Sequence, residues 1–160
     1  MLVLAIDPGN KVSAFVVWNS KTKKIYDKGI VENLQMLAII ESFQYHIEEL
    51  LIEMIASYGM PVGAEVFETC IWISRYYQKS FDCYGTPKLV YRKDIKMHHC
   101  LSNTAKDSNI IQALKDKYGD KGTKKNPGIF YEFKDDIWQA FALASYWTEK
   151  NHTDEKETEI

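Results

Sequence analysis

Leu2-Val3-Leu4-Ala5-Ile6-Asp7-Pro8-Gly9-Asn10, followed by Ser13-Ala14-Phe15-Val16-Val17-Trp18, is the stretch that decides how this chain folds. Residues 2–6 are uninterruptedly apolar, as in a strand buried on both faces. The run breaks on a carboxylate, Asp7. Asp-Pro-Gly-Asn is turn chemistry, and the β-branched and aromatic residues of 13–18 form a second strand. Asn19-Ser20-Lys21-Thr22 turns the chain again, and 24–31 reads as a third strand. Turns this short join antiparallel neighbours, so the chain opens with a three-stranded meander.

Working outward, the spacing of Leu34, Leu37, Ala38, Ile40, Phe43 and Ile47 predicts a helix over 34–47. Residues 50–55 read as a buried strand with one acid inside it, Glu53. A loop at 56–62 leads to a helix over 63–81, with Val66, Cys70, Ile73, Tyr77 and Phe81 along one face. A short strand at 88–91 follows. A helix within 102–118 is expected to be capped near Asn103 or Thr104, and a basic loop spans 119–128. The last helix, 135–149, turns Trp138, Phe141, Ala142 and Ser145 inward. The order β-β-β-α-β-α-β-α-α predicts an α/β fold. Three antiparallel strands are followed by parallel ones in a mixed sheet, with helices on both faces.

The length of 160 residues bounds this to one domain. Its body is expected at 1–148, with an acidic, disordered tail at 149–160. The apolar start stops at Asp7, too short for a leader or a membrane span, and a cytoplasmic protein is expected. Three scattered cysteines read as reduced thiols. Adjacent His98, His99 and Cys100 cannot all turn toward one zinc ion.

A net charge of −2 seems to argue against a nucleic-acid partner. The charges are segregated, however. Residues 28–68 carry seven glutamates and one lysine, whereas 84–125 carry ten cations against four aspartates. A basic segment is masked by an acidic one.

Two carboxylates, Asp7 and Glu53, stand in or at the end of apolar strands, and Asp135 and Asp136 open the last helix. Singly, each has an ordinary reading as a turn acid, an edge residue or a helix-dipole acid. Glu65 and Glu68 read as first-turn surface acids, and His46, His98 and His99 as surface or packing residues. Jointly, the strand acids say more. Burying an unpaired carboxylate is costly unless it is paired or binds a metal. If the first and fourth strands are neighbours, Asp7 and Glu53 lie side by side. An all-oxygen set then suits Mg²⁺, with Mn²⁺ as substitute.

These residues match a family pattern. Ala5-Ile6-Asp7-Pro8-Gly9 with Ser13-Ala14-Phe15 resembles the first two strands of RuvC-type Holliday-junction resolvases, of the RNase H-like superfamily. Leu51-Ile52-Glu53-Met54 resembles their fourth strand, and Asp136-Ile137-Trp138-Gln139 their last helix. Ile52 to Pro61 looks most like the small RuvC-like proteins of phages and prophages. The resemblance implies an Mg²⁺-dependent endonuclease of branched DNA in a bacterial or phage-infected cytoplasm, producing paired nicks with 5′-phosphates. Asp7 would bridge two metals, with Glu53 and Asp136, or Asp135, completing their shells. Gln139 stands where the family usually has an acid, and would be a neutral ligand. Lys96 and Lys106, with Lys93 and Arg92, would contact phosphates, and Tyr58 would stack near the branch point. A homodimer is implied, through the helix at 63–81 with Trp72, Tyr76 and Tyr77. The alternatives are a flap, fork or hybrid nuclease and, because of Gln139, a non-catalytic domain that binds branched DNA.

Overall fold

The computed structural model describes residues 1–43 and 46–157, with side chains as far as Asn151. β1 (Leu2–Asp7), β2 (Val12–Asn19) and β3 (Lys24–Glu32) form the expected antiparallel meander. β4 (Glu49–Met54) adds to the free side of β1 in parallel, and β5 (Lys88–Tyr91) adds to β4 in parallel. The strand order is β3-β2-β1-β4-β5.

α1 (Asn33–Ser42) and α2 (Ala64–Cys83) pack on one face, around Leu4, Ile6, Phe15, Val17 and Ile52. α3 (Arg92–Cys100), α4 (Asp107–Tyr118) and α5 (Ile137–Glu157) cover the other, around Val3, Ala5, Trp18 and Leu51. The α5 face is filled by aromatic rings. Phe141 meets Trp18 edge-on at 5.0 Å and Phe130 at 5.1 Å, an arrangement that adds electrostatic attraction to burial. The far end of α5 is tied by Glu149, which accepts hydrogen bonds from Ser145 and Tyr118 and pairs with His98 and Lys117.

Side chains alternate along a strand. Val3 and Ala5 face α5, so Asp7 continues on that side; Leu51 faces α5, so Glu53 does too. The register that sets Ile6 beside Ile52 therefore brings the two carboxylates together at the next position, on one face.

Several local expectations are corrected. The first helix ends at Ser42 rather than 47, and its buried residues are Asn33, Met36 and Ile40, while Leu34 is exposed. α2 buries Thr69, Ile73, Tyr76 and Ser80, not the face through Phe81. Three of those four residues carry hydroxyls, so an apolar pattern does not reveal that face. α3 was not expected: it starts directly after β5 without a turn and buries only Ile95. α4 starts at Asp107, beyond Asn103 and Thr104. Leu101 adopts left-handed backbone (φ 54°) and ends α3, and the Asn109 side-chain oxygen accepts from the Lys106 N–H at 2.9 Å to open α4. α5 continues to Glu157, although its run of buried side chains ends near Thr148.

Candidate active site

The turn after β1 is fixed before any chemistry is considered. A Cβ on Gly9 would lie 2.3 Å from the Val12 carbonyl oxygen, so the close return of the chain needs glycine here. Buried Ser13 anchors the turn. Its hydroxyl donates to Asn33 Oδ1 (2.7 Å) and can accept from the Tyr76 hydroxyl (3.0 Å) and the Gly9 N–H (3.3 Å). Asn33 Nδ2 in turn donates to the Gly9 carbonyl at 2.9 Å. Burial pushes the Tyr76 hydroxyl up to about 12, so it keeps its proton for this network. β2, α1 and α2 thus grip the loop that holds Asp7.

Asp7 is held well above the usual carboxylate range, first by desolvation and then by the charges of Glu53 and Asp136. Glu53, 8% exposed, is also raised, again first by desolvation. Its counter-charge is Arg92 at the start of α3. Arg92 Nη1 lies 3.2 and 3.4 Å from the two Glu53 oxygens, and Nη2 binds Asp107 at the start of α4. Although burial opposes it, those two carboxylates push the guanidinium pKa up.

Asp136 precedes the first residue of α5 and its carbonyl accepts from the Gln139 and Ala140 N–H groups. Its charge is felt by both strand acids. Asp135 stands in left-handed backbone (φ 45°) and is exposed. Gln139 is buried, and its Oε1 has no hydrogen-bond partner. A buried orphan oxygen calls for an explanation.

Among the described residues, no three His, Cys, Asp or Glu side chains stand as a ready ion-binding group. The donor chemistry nevertheless fits a hard divalent cation. Two adjacent carboxylates, one half-buried and one buried, a third acid charge and an unsatisfied amide oxygen are all-oxygen ligands with excess negative charge. Arg92 supplies the positive charge in the arrangement seen.

The cations and Tyr58 lie beside this site. Tyr58, Arg92, Lys93, Lys96, Asn103 and Thr104 line one cleft. Tyr58 is 66% exposed on the loop after β4. Lys106 is exposed at the head of α4, next to Asp107. Arg92, expected to contact phosphate, lines that cleft and pairs with Glu53 and Asp107. Sequence reasoning missed that pairing, Asp107, and the Ser13–Asn33–Tyr76 anchor. An arginine four residues before Lys96 in a basic stretch gave no sign of an inward partner.

By sequence, no family model and no curated protein matches the chain. By structure it resembles Thermus thermophilus RuvC, with a TM-score of 0.70 at 14% identity over 94% of this chain and 97% of that one. It also resembles T. thermophilus RuvC in complex with Holliday junction substrate (0.71, 13%, 94% and 96%). A further match is the yeast mitochondrial Holliday junction resolvase Ydc2 (0.58, 14%, 91% and 76%). The fold is therefore a RuvC-like RNase H fold. No helix among the described residues is long and apolar enough to cross a membrane.

Two predictions follow from the charges. A folded-state carboxyl with a raised pKa contributes stability below its unfolded pKa and loses it as pH rises through the folded value. Asp7→Asn should therefore raise the melting temperature at pH 7–8, by about 2–4 °C for each kcal/mol of relieved repulsion, and the gain should vanish near pH 3–4. Melting curves across pH check this; equal melting temperatures throughout would contradict it. Arg92→Ala should destabilise by about 1.5–3 kcal/mol, as for loss of a hydrogen bond to a charged group. Adding Glu53→Gln should restore part of that loss, as a double-mutant cycle in denaturant would read.

Proposed function

We propose that the protein is an Mg²⁺-dependent endonuclease that hydrolyses phosphodiester bonds in branched DNA, four-way junctions above all. The observation that carries this reading is the pairing of half-buried Asp7 with buried Glu53 on adjacent parallel strands, with the charge of exposed Asp136, at the head of α5, acting on both. The resolvases of like fold support the substrate class, since one of them holds a Holliday junction.

Asp7, Glu53 and Asp136 would hold the ions, with Gln139 Oε1 as a neutral donor. Bound there, Mg²⁺ or Mn²⁺ supplies an acidified water and charge stabilisation at the scissile phosphate. The chain's own contribution is positional. The Ser13–Asn33–Tyr76 network fixes the Asp7 turn, and Arg92 neutralises Glu53 and ties it to α4. Lys93, Lys96 and Lys106 hold backbone phosphates, and exposed Tyr58 offers a face for a base. We assign the nuclease domain to 1–148, where the buried run of α5 ends, with 149–160 appended to it.

One observation favours a second reading. Glu53 is covered by a guanidinium and Gln139 brings no charge, which suits a domain that binds branched DNA without cutting it.

Incubation of a synthetic four-way junction with Mg²⁺ separates the two readings. Cleavage by the wild type, at least about 100-fold slower in Asp7→Asn with binding retained, is expected. Binding without cleavage in Mg²⁺ or Mn²⁺ would favour the second reading. Preference for flaps, forks or RNA–DNA hybrids in the same assay would reassign the substrate.

Paired nicks need two active sites, and a homodimer supplies them. Tyr76 is fully buried within its own chain and is not available for an interface. The outer face of α2 instead presents Phe67, Ile71 and Phe81, each more than half exposed, with Arg75 over the Trp72 ring at 4.2 Å. Phe67→Asp with Ile71→Asp should convert a dimer to a monomer in sedimentation velocity. A wild type that is monomeric both free and on the junction would contradict the dimer.

A further inference from the structure

The ten cations of residues 84–125 do not form one surface, because the fold parts them. Lys93 and Lys96 line the cleft beside Arg92, on the β5 side of the sheet. Lys121 belongs to the 119–128 loop, which is pinched by the Gly122–Pro127 bridge and leans on the opposite edge. There it joins Lys28 of β3 and Lys134 around a groove floored by Gly29, Phe133 and Ile137. A neighbouring hollow shares Ile25 and Lys28 and adds Lys23 and Lys24.

Among the described residues, no carboxylate oxygen lies within 4 Å of the ammonium group of Lys23, Lys24, Lys28, Lys121 or Lys134. The acids on the groove are Asp27 and Glu132. Aromatic rings carry some of these lysines: Lys28 Nζ lies 5.6 Å from the centre of Phe133, and Lys24 Nζ 5.5 Å from that of Tyr26. These contacts hold the ammonium groups near the groove without neutralising them.

The groove lies on the face of the sheet that carries the acids. Asp7 pairs in register with Ala14, and Ala14 with Ile30, which lines the groove. Lys134 and Ile137 flank Asp136 in sequence, and both line it as well. β3 and β5 are the two edges of the sheet, so unpaired cations approach the acid pair from both sides.

We propose that this β3-edge groove binds a second segment of nucleic-acid phosphate backbone, an arm of a branched substrate distinct from the one held by Lys93 and Lys96. The inference rests on the nucleic-acid reading above and extends it. A linear duplex needs one such surface; a branched one presents backbone on both sides of its branch point.

The test is a metal-free titration of wild type, K28Q/K121Q/K134Q and K96Q against a four-way junction and a linear duplex at several salt concentrations. For the triple variant, junction affinity should fall about tenfold and the log–log salt slope by about 2–3, since each neutralised phosphate contributes ~0.9. Its duplex affinity should change less than about twofold, whereas K96Q weakens both. Unchanged junction affinity and slope would overturn the proposal and leave these lysines as guards of an edge strand. Equal weakening on junction and duplex would overturn the second-arm assignment. A wild type that binds neither would defeat the nucleic-acid reading itself.

Lysine acetylation of the wild type, read by mass spectrometry, needs no variant to fold. The junction should protect Lys121 and Lys134 along with Lys96. Protection of Lys96 alone would reject the groove and leave the active-site reading standing.

Discussion

Two carboxylates forced together in a place with little water are the constraint on which the rest depends. β1 and β4 are parallel neighbours, and their register leaves Asp7 and Glu53 no choice but to share a face. Desolvation and the charge of Glu53 raise the Asp7 pKa, and desolvation raises that of Glu53 against the pull of Arg92. A fold built only for stability would place apolar residues there, because replacing buried charge by packed hydrocarbon is commonly neutral or better. The chain instead surrounds the pair with devices that hold it. A glycine turn and a three-residue hydrogen-bond anchor fix Asp7, and a guanidinium shared with Asp107 steadies Glu53.

The likeness to RuvC and Ydc2 is one of architecture, at 13–14% identity. A shared fold hosts many activities, so the argument for a nuclease rests on the acids. Arg92 gives the site a character of its own. It joins the strand that carries Glu53 to the helices that carry Lys96 and Lys106, so the charge state of the acids and the placement of the basic helices are linked through one side chain.

Much of this was legible in the sequence, for identifiable reasons. The apolar run ending at Asp7, the short turns after it and the acid inside 50–55 are local signals, and they led to the meander, the mixed sheet and the neighbouring carboxylates. Of the four residues expected inward on the last helix, Phe141, Ala142 and Ser145 are fully buried and Trp138 nearly so. What escaped depends on tertiary partners. Tyr76 is buried because its hydroxyl meets Ser13, so α2 is rotated from the face its apolar residues suggest. Arg92 turns inward because Glu53 is there, and α3 forms on a single buried side chain. The basic segment reads as one patch along the chain, yet α4 carries its second half to the far edge of the sheet.

The most direct test of the central claim is the binding of Mn²⁺ itself, followed by electron paramagnetic resonance in the absence of DNA. The account predicts saturable binding by the wild type, lost or weakened at least tenfold in Asp7→Asn, with the folded state of both proteins intact. A wild type that leaves the free-ion signal unchanged at millimolar Mn²⁺, or an Asp7→Asn variant that binds as tightly, would contradict the reading of the Asp7–Glu53 pair as a cation site.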